Sequence, residues 1–207
     1  DTVEAASGLP LNFAVVDNSG DVNAPNPTTI TVNTGSEVIT QDIPAYNPAV
    51  IHSIDTVILP TWIGKGLVDV ASDDGSFTTL IDLVGRIDGL AATLNEGGPY
   101  TILAPTDQVF VALQSRNPEA VAALPDRPDI LGPILNAHVI SGVFSLENIP
   151  EGTSTLLSLA GETLTIQKTT VDGEVSLEVN EIPVSTTDVL AENGVIHVLT
   201  RLILPDD

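Results

Sequence analysis

Two segments of the chain close on the same pattern. Residues 49–60 read Ala-Val-Ile-His52-Ser-Ile-Asp55-Thr-Val-Ile-Leu-Pro60, and residues 194–205 read Gly-Val-Ile-His197-Val-Leu-Thr-Arg201-Leu-Ile-Leu-Pro205. The spacing from His to Pro is the same in both, and the apolar positions between them match. A repeat constrains folding more than local propensity does, because each copy must be one structural unit with one topology. The upstream parts correspond as well: Gly8, Leu11 and Phe13 with Gly161, Leu164 and Ile166; Val32-Asn33 with Val179-Asn180; Asp42-Ile-Pro-Ala45 with Asp188-Val-Leu-Ala191. The first copy carries a longer polar loop between Phe13 and Val32. It has nothing that matches residues 63–158 of the second. Residues 1–60 therefore read as half of a copy, 61–66 as a linker and 67–207 as a complete domain.

Along the chain, Leu11, Phe13 and Val15 alternate with polar or small residues, as a half-buried strand requires, and Ile30 and Val32 do the same. The β-branched run from Val50 to Leu59 reads as a buried strand. From Ile63 the period changes. Leu67 to Ala71 predict a short helix, and Ser72-Asp-Asp-Gly-Ser76 breaks it. Phe77, Leu80, Ile81, Val84 and Ile87 fall at helical spacing, followed by Leu90, Ala91 and Leu94. Tyr100 to Ala104 predict a strand and Val109 to Leu113 a helix. Ala120–Leu124 and Ile130–Ile140 predict further helical turns. Residues 156–205 return to strands, with a hairpin at Asp172-Gly173, a strong two-residue turn signal. Helices first and strands second give an α+β domain.

Charge excludes whole classes of partner. Six Lys and Arg face 28 Asp and Glu, for a net charge of −22. A nucleic-acid interface needs a basic stripe, and the chain has none. Polyanionic glycans are excluded on the same ground. The acids serve solubility first, and they also suit a surface adapted to salt or divalent cations. There is no Cys, so disulfides, thiolate metal sites and a Cys nucleophile are excluded. No run reaches the roughly 18 apolar residues that a membrane helix needs. With no Met and with Asp1 first, the chain is expected to be part of a longer product.

Few residues offer chemistry. The three histidines are His52, His138 and His197. His52 and His197 share a repeat position inside apolar strands, where a buried, hydrogen-bonded structural role is expected of both. His138 is followed by Ser141, but no Gly-x-Ser-x-Gly elbow occurs, and no catalytic residue is assigned. Asp107 follows Pro105-Thr106 and is expected to cap a helix through its carboxylate. Asp73 and Asp74 are also read as caps rather than ligands. Asp17, Ser19, Asp21 and Asn23 place oxygens at alternate positions, which makes them the one candidate for calcium. Their glycine is misplaced for an EF-hand loop and no bidentate Glu follows, so a solvated hairpin loop is favoured there. No cofactor is implied. Asn26-Pro-Thr28 fails as an N-glycosylation acceptor because of its Pro.

Tyr100-Thr-Ile-Leu-Ala-Pro-Thr-Asp107-Gln-Val-Phe110 closely resembles the first signature block of the fasciclin domain family. Residues 194–205 resemble its second block, a Gly-Val-Ile-His strand ending in Leu-Pro. His138-Val-Ile-Ser-Gly142 with Phe144-Ser145 resembles its central segment, and Ser158-Leu-Ala-Gly161 its strand lead-in. The resemblance covers residues 63–205 as a complete domain and residues 7–60 as the C-terminal half of a preceding copy. It implies a wedge of β-strands with several helices packed at one side. It also implies an extracellular or cell-surface adhesion module that contacts proteins or polysaccharides without catalysis, or another fasciclin-like chain or fragment. A secreted small-ligand-binding or enzymatic module on the same fold is the alternative. The partner-binding stretch implied is Asn136-Ala137-His138. Ala137 stands where many animal members carry Tyr, and no Arg-Gly-Asp occurs, so integrin-type recognition is not carried over.

The charge alone sets a first expectation. A compact body of net charge −22 repels itself, and salt screens that repulsion over a Debye length of about 10 Å at 0.1 M. The melting temperature should rise from low to high sodium chloride. A flat or falling trend would show that the acids are already paired or well separated.

Overall fold

The structure is a computed structural model and describes residues 2–4, 10–16, 29–32, 36–44, 50–55, 58 and 60–204. The Asp17–Asn23 loop, with its calcium candidates Asp17, Ser19, Asp21 and Asn23, lies outside the described residues. The chain divides into two compact units, Asp1–Thr61 and Trp62–Asp207. The division falls within the expected linker of residues 61–66. Lys65 already belongs to the second unit, where its carbonyl accepts from the Glu192 N–H at 2.9 Å.

The first unit is a five-stranded antiparallel sheet in sequence order: β1 (Thr2–Glu4), β2 (Pro10–Val16), β3 (Thr29–Val32), β4 (Ser36–Pro44) and β5 (Val50–Ile54). His52 lies within β5; the surroundings of its side chain are outside the described residues.

The second unit begins with α1 (Leu67–Asp74), α2 (Thr78–Gly85) and α3 (Leu90–Glu96), then β6 (Tyr100–Pro105). Three more helices follow: α4 (Asp107–Arg116), α5 (Pro118–Ala123) and α6 (Pro128–Ala137). The strands β7 (Val139–Ser141), β8 (Gly152–Leu157), β9 (Thr163–Val171), β10 (Glu174–Val179), β11 (Ile182–Ala191) and β12 (Gly194–Leu199) complete it. The sheet order is β7-β6-β12-β11-β10-β9-β8. A bridge from Ile140 to Ser158, with the Leu159 N–H on the Val139 carbonyl at 2.7 Å, ties the two ends of the sheet together, so it curls into a nearly closed wedge.

The expected helix over Ile130–Ile140 ends early. Val139 and Ile140 are β-branched, and they pair with Ile102 and Thr101 of β6. The carbonyl of His138 is claimed by the Leu103 N–H at 2.8 Å, so the chain leaves the helix there. The Asp172-Gly173 hairpin forms as expected, with both residues at positive φ (53° and 86°) and Val171 opposite Glu174.

The ladders of the two units agree residue by residue. Val3 pairs with Leu11, as Leu156 does with Leu164; Phe13 with Val32, as Ile166 does with Val179. Thr31 pairs with Glu37, as Glu178 does with Pro183. Between β4 and β5 the register shifts twice, at Val38/Thr40 and Thr40/Ile43. Between β11 and β12 it shifts at Val184/Thr186 and Thr186/Val189, the corresponding positions.

β12 is buried along its whole length because both of its faces are covered. Ile196 and Val198 face the helices, with Leu67, Phe77, Leu80, Leu94 and Leu131. Leu199 belongs to the second cluster, inside the curled sheet, with Leu103, Leu164, Ile166, Leu177 and Val179. A strand covered on both sides reads as an unbroken apolar run, which is why Val-Ile-His-Val-Leu carries no polar alternation. The helix caps come from distant residues. Asp107 caps α2, not the helix it begins: its carboxylate takes the N–H groups of Thr78 at 3.2 Å and Thr79 at 2.7 Å. Burial pushes its carboxyl up, but the bonds from Thr78 and Thr79 outweigh that and hold it below its ordinary value. Asp74 closes a turn on the Ser76 N–H, and Asp73 pairs with Lys65, so neither is a helix N-cap.

Asn193 serves two helices at once. Its Oδ1 accepts from the Leu67 N–H at the start of α1 at 2.9 Å. Its Nδ2 donates to the carbonyls of Leu94 (2.9 Å), Asn95 (3.2 Å) and Gly97 (2.6 Å) at the end of α3. Asn193→Ala strands one donor and weakens three acceptors in a half-buried place, and should cost about 2 kcal/mol in urea unfolding. A loss under about 0.5 kcal/mol would show that water replaces the amide fully.

Candidate functional site

The implied contact stretch closes α6. Ala137 is fully buried and His138 is 2% exposed, while Asn136 is half-buried. Of the expected contact stretch Asn136, Ala137 and His138, the fold encloses the last two, while Asn136 keeps part of its surface. The Asn136 carbonyl is itself engaged, accepting from the Ala160 N–H at 3.3 Å.

His138 works inward. Its Nδ1 lies 2.8 Å from the Ile134 carbonyl and donates to it, while Nε2 accepts from the Ile203 N–H at 3.0 Å. The ring is a neutral link between α6 and the segment that follows β12. Burial pushes its pKa from 6.5 down to about 4, against the opposing bond to Ile134. Both nitrogens are taken by main chain. Ser141 is exposed on β7, and neither it nor an acid reaches the ring, so no Ser-His-Asp relay forms here.

His197 makes a similar link. Its Nε2 donates to the Phe144 carbonyl at 2.7 Å, and its Nδ1 accepts from the Asp188 N–H at 3.3 Å. Asp188 sits at the β11 bulge with φ 58°, a conformation that Asp tolerates better than most residues. Its carboxylate takes the Leu146 N–H at 2.9 Å. Lys168 then reaches the carbonyls of Leu146 (2.7 Å) and Ile149 (3.0 Å). The loop over residues 142–149 is thus wired to β11, β12 and β9. Burial lowers the His197 pKa, opposed by the bond to Phe144 and the charge of Asp188. Sequence reasoning passed over Asp188, although its match to Asp42 in the repeat was a usable signal.

Two hollows remain. One lies between the helices and the sheet, has a volume of about 30 Å³, and is lined by apolar side chains such as Leu67, Leu80 and Ile102, with His138 at its wall. That is room for little more than a water. The other is an open surface cleft of about 260 Å³ between α4 and the segment after β12, lined by Val109, Leu113, Leu202 and Leu204 with Arg116 and Arg201 at its rim.

The histidine geometry fixes a pH dependence. In the unfolded chain His138 takes up a proton near 6.5, whereas folded it resists down to about 4. The unfolded state then binds more protons across that window, so stability is complete above pH 6.5 and falls as pH drops towards 4. One group shifted this far accounts for about 3 kcal/mol. Urea unfolding at pH 7.5 and 4.5 should show a drop in stability larger by roughly that amount in the native protein than in His138→Gln. Equal drops would remove His138 as the cause.

A family model described as the fasciclin domain matches residues 75–205. Protein sll1483 of Synechocystis sp. is 40% identical over 139 residues, which is 67% of this chain and 73% of that protein. The transforming growth factor-beta-induced protein ig-h3 of Sus scrofa is 33% identical over 178 residues, covering 86% of this chain but only 24% of that much longer protein. Among solved structures, a FAS1 domain pair from the insect cell adhesion molecule Fasciclin I overlays with a TM-score of 0.60, covering 95% of this chain and 68% of that one. Its 20% identity makes this a likeness of fold. With its signature strands β6 and β12 paired side by side in a curled sheet and a family match over more than half its length, the chain belongs to the fasciclin domain family.

Proposed function

We propose that this chain is a non-catalytic adhesion module, acting outside the cell or at its surface by contact with a protein or polysaccharide. Residues 1–60 are, on this reading, the C-terminal half of a tandem fasciclin repeat, which the shared strand registers support. One observation carries the non-catalytic part. Among the described residues no buried side-chain nitrogen or oxygen lacks a hydrogen-bond partner. Reactive groups are commonly left under-satisfied; here both described histidines are spent on main chain. The name of the structural neighbour, a cell adhesion molecule, agrees with the reading.

A small-ligand module is the second reading, and the cleft at Leu113 and Leu202 is what favours it. One experiment separates the two. Beads coated with the chain are offered a panel of extracellular proteins and polysaccharides at physiological salt. In parallel, the chain is screened with ester, glycoside and peptide substrates and titrated with small carboxylates by NMR. Saturable capture of a macromolecule with no turnover is expected. Turnover abolished by His138→Gln would overturn the proposal, and saturable carboxylate shifts at Leu113 and Leu202 without macromolecular capture would favour the second reading.

A further inference from the structure

The dipeptide Asn-Gly occurs once in the chain, at Asn193-Gly194. A different contact demands each residue. The Asn193 Oδ1 accepts from the Leu67 N–H, and its Nδ2 donates to the carbonyls of Leu94, Asn95 and Gly97. Asp would supply the acceptor without the donors. At the next position a Cβ would run into the Tyr100 carbonyl and the Leu67 side chain, so only Gly fits.

The pair so imposed is chemically labile. A glycine nitrogen reaches the carboxamide carbon of a preceding Asn with little steric resistance, because no side chain restricts its approach. In the native corner that approach is blocked. Gly194 is held in both ladders, opposite Ala191 of β11 and Tyr100 of β6. The Asn193 carbonyl takes the Tyr100 N–H at 3.1 Å. The carboxamide is anchored on α1 and α3, and it must give up those bonds before it can swing back over the Gly194 nitrogen.

We propose that Asn193 is a latent deamidation site, which the native corner keeps inert and its opening releases, and that reaction there bars the corner from closing again. Hydroxide takes the Gly194 N–H proton, and the nitrogen attacks Asn193 Cγ. The Cγ–Nδ2 bond breaks, and ammonia leaves with a proton from water. The cyclic imide then takes up one water. Opening at Cγ leaves an aspartate at this position, and opening at the main-chain carbonyl leaves isoaspartate. In sum one water is consumed and one ammonia released, with nothing oxidised or reduced. The aspartate still accepts from Leu67, but it turns an oxygen towards three carbonyls where the amide had donors, leaving them without a partner. Isoaspartate inserts a carbon into the main chain just where Gly194 is packed against the Tyr100 carbonyl. The inference rests on neither the adhesion reading nor the small-ligand one.

The test incubates the full chain at mildly alkaline pH, in buffer and in denaturing urea, and follows Asn193 by peptide mass mapping with an isoaspartate-specific methyltransferase. In urea Asn193 should convert to aspartate and isoaspartate. In the folded chain conversion waits on opening and should be slower by roughly 100-fold or more. A folded rate within about threefold of the urea rate overturns the proposal. So does conversion of other asparagines in urea while Asn193 stays intact. Asn193→Asp should melt below Asn193→Ala, or fail to fold where Asn193→Ala folds. An Asn193→Asp chain that melts as high as Asn193→Ala overturns the claim that the product cannot close the corner. Should neither variant fold, refolding of the urea-aged chain decides. Its folded fraction should carry unmodified Asn193, and modified chains recovered in that fraction overturn the proposal.

Discussion

The parallel pairing of β6 with β12 brings together two segments separated by most of the second unit, and the rest of that unit is arranged around it. Parallel strands pair only through a long crossover, so the entropy of closing that loop is met before the contact returns anything. Here the crossover holds the later helices, β7 and the β8–β11 meander. The ladder is made tight by the absence of a side chain at Gly194, where a Cβ would run into the Tyr100 carbonyl oxygen. Asn193, one residue earlier, binds α1 and α3 to the same point, and its carbonyl takes the Tyr100 N–H at 3.1 Å. Helical layer and sheet are thereby pinned at one corner.

Burying two imidazoles in such a core is tolerable only because each is neutral and saturated. A polar ring left without partners in an apolar interior costs several kcal/mol, and a charged one more. His138 and His197 avoid both costs in the same way, one nitrogen donating to a carbonyl and the other accepting an N–H. Each thereby joins elements that no backbone ladder joins: α6 to the chain after β12, and the loop at Phe144 to the β11 bulge. The arrangement explains why these positions call for His. Gln or Asn offers a donor and an acceptor too, but not across a rigid ring of this span.

Much of the second unit was legible because its signals are local. Asp172-Gly173 announces a tight hairpin, and Leu80, Val84 and Leu94 fall at helical spacing on buried faces. What escaped depends on partners distant in sequence. The cap role of Asp107 was legible, but not that it serves α2, because its contacts with Thr79 and Thr78 span 28 and 29 residues. Val139 and Ile140 continue a helical pattern and become strand only because β6 lies beside them. The hairpin at Asn180-Glu181 has both residues at positive φ without a glycine. It is held there by the Asn180 side chain on the Thr165 N–H at 2.8 Å, which no local pattern announces. The burial of Ala137 and His138 could not be read either, because sequence does not show that the sheet closes over them.

Surface charge decides which kinds of contact the module can make. Residues 1–61 contain no Lys or Arg at all. In the second unit Lys65, Arg86 and Arg127 are already paired with Asp73, Asp82 and Asp129. These pairs are exposed, so each adds little to stability, but each removes a cation from the field a partner meets. Two such surfaces approaching face to face repel at low ionic strength, which opposes side-chain-driven association between like acidic modules. Main-chain pairing is less sensitive to this repulsion, because its donors and acceptors carry no net charge and β5 itself has no acid between Val50 and Ile54. Contacts made through uncharged groups are therefore the ones that this composition penalises least.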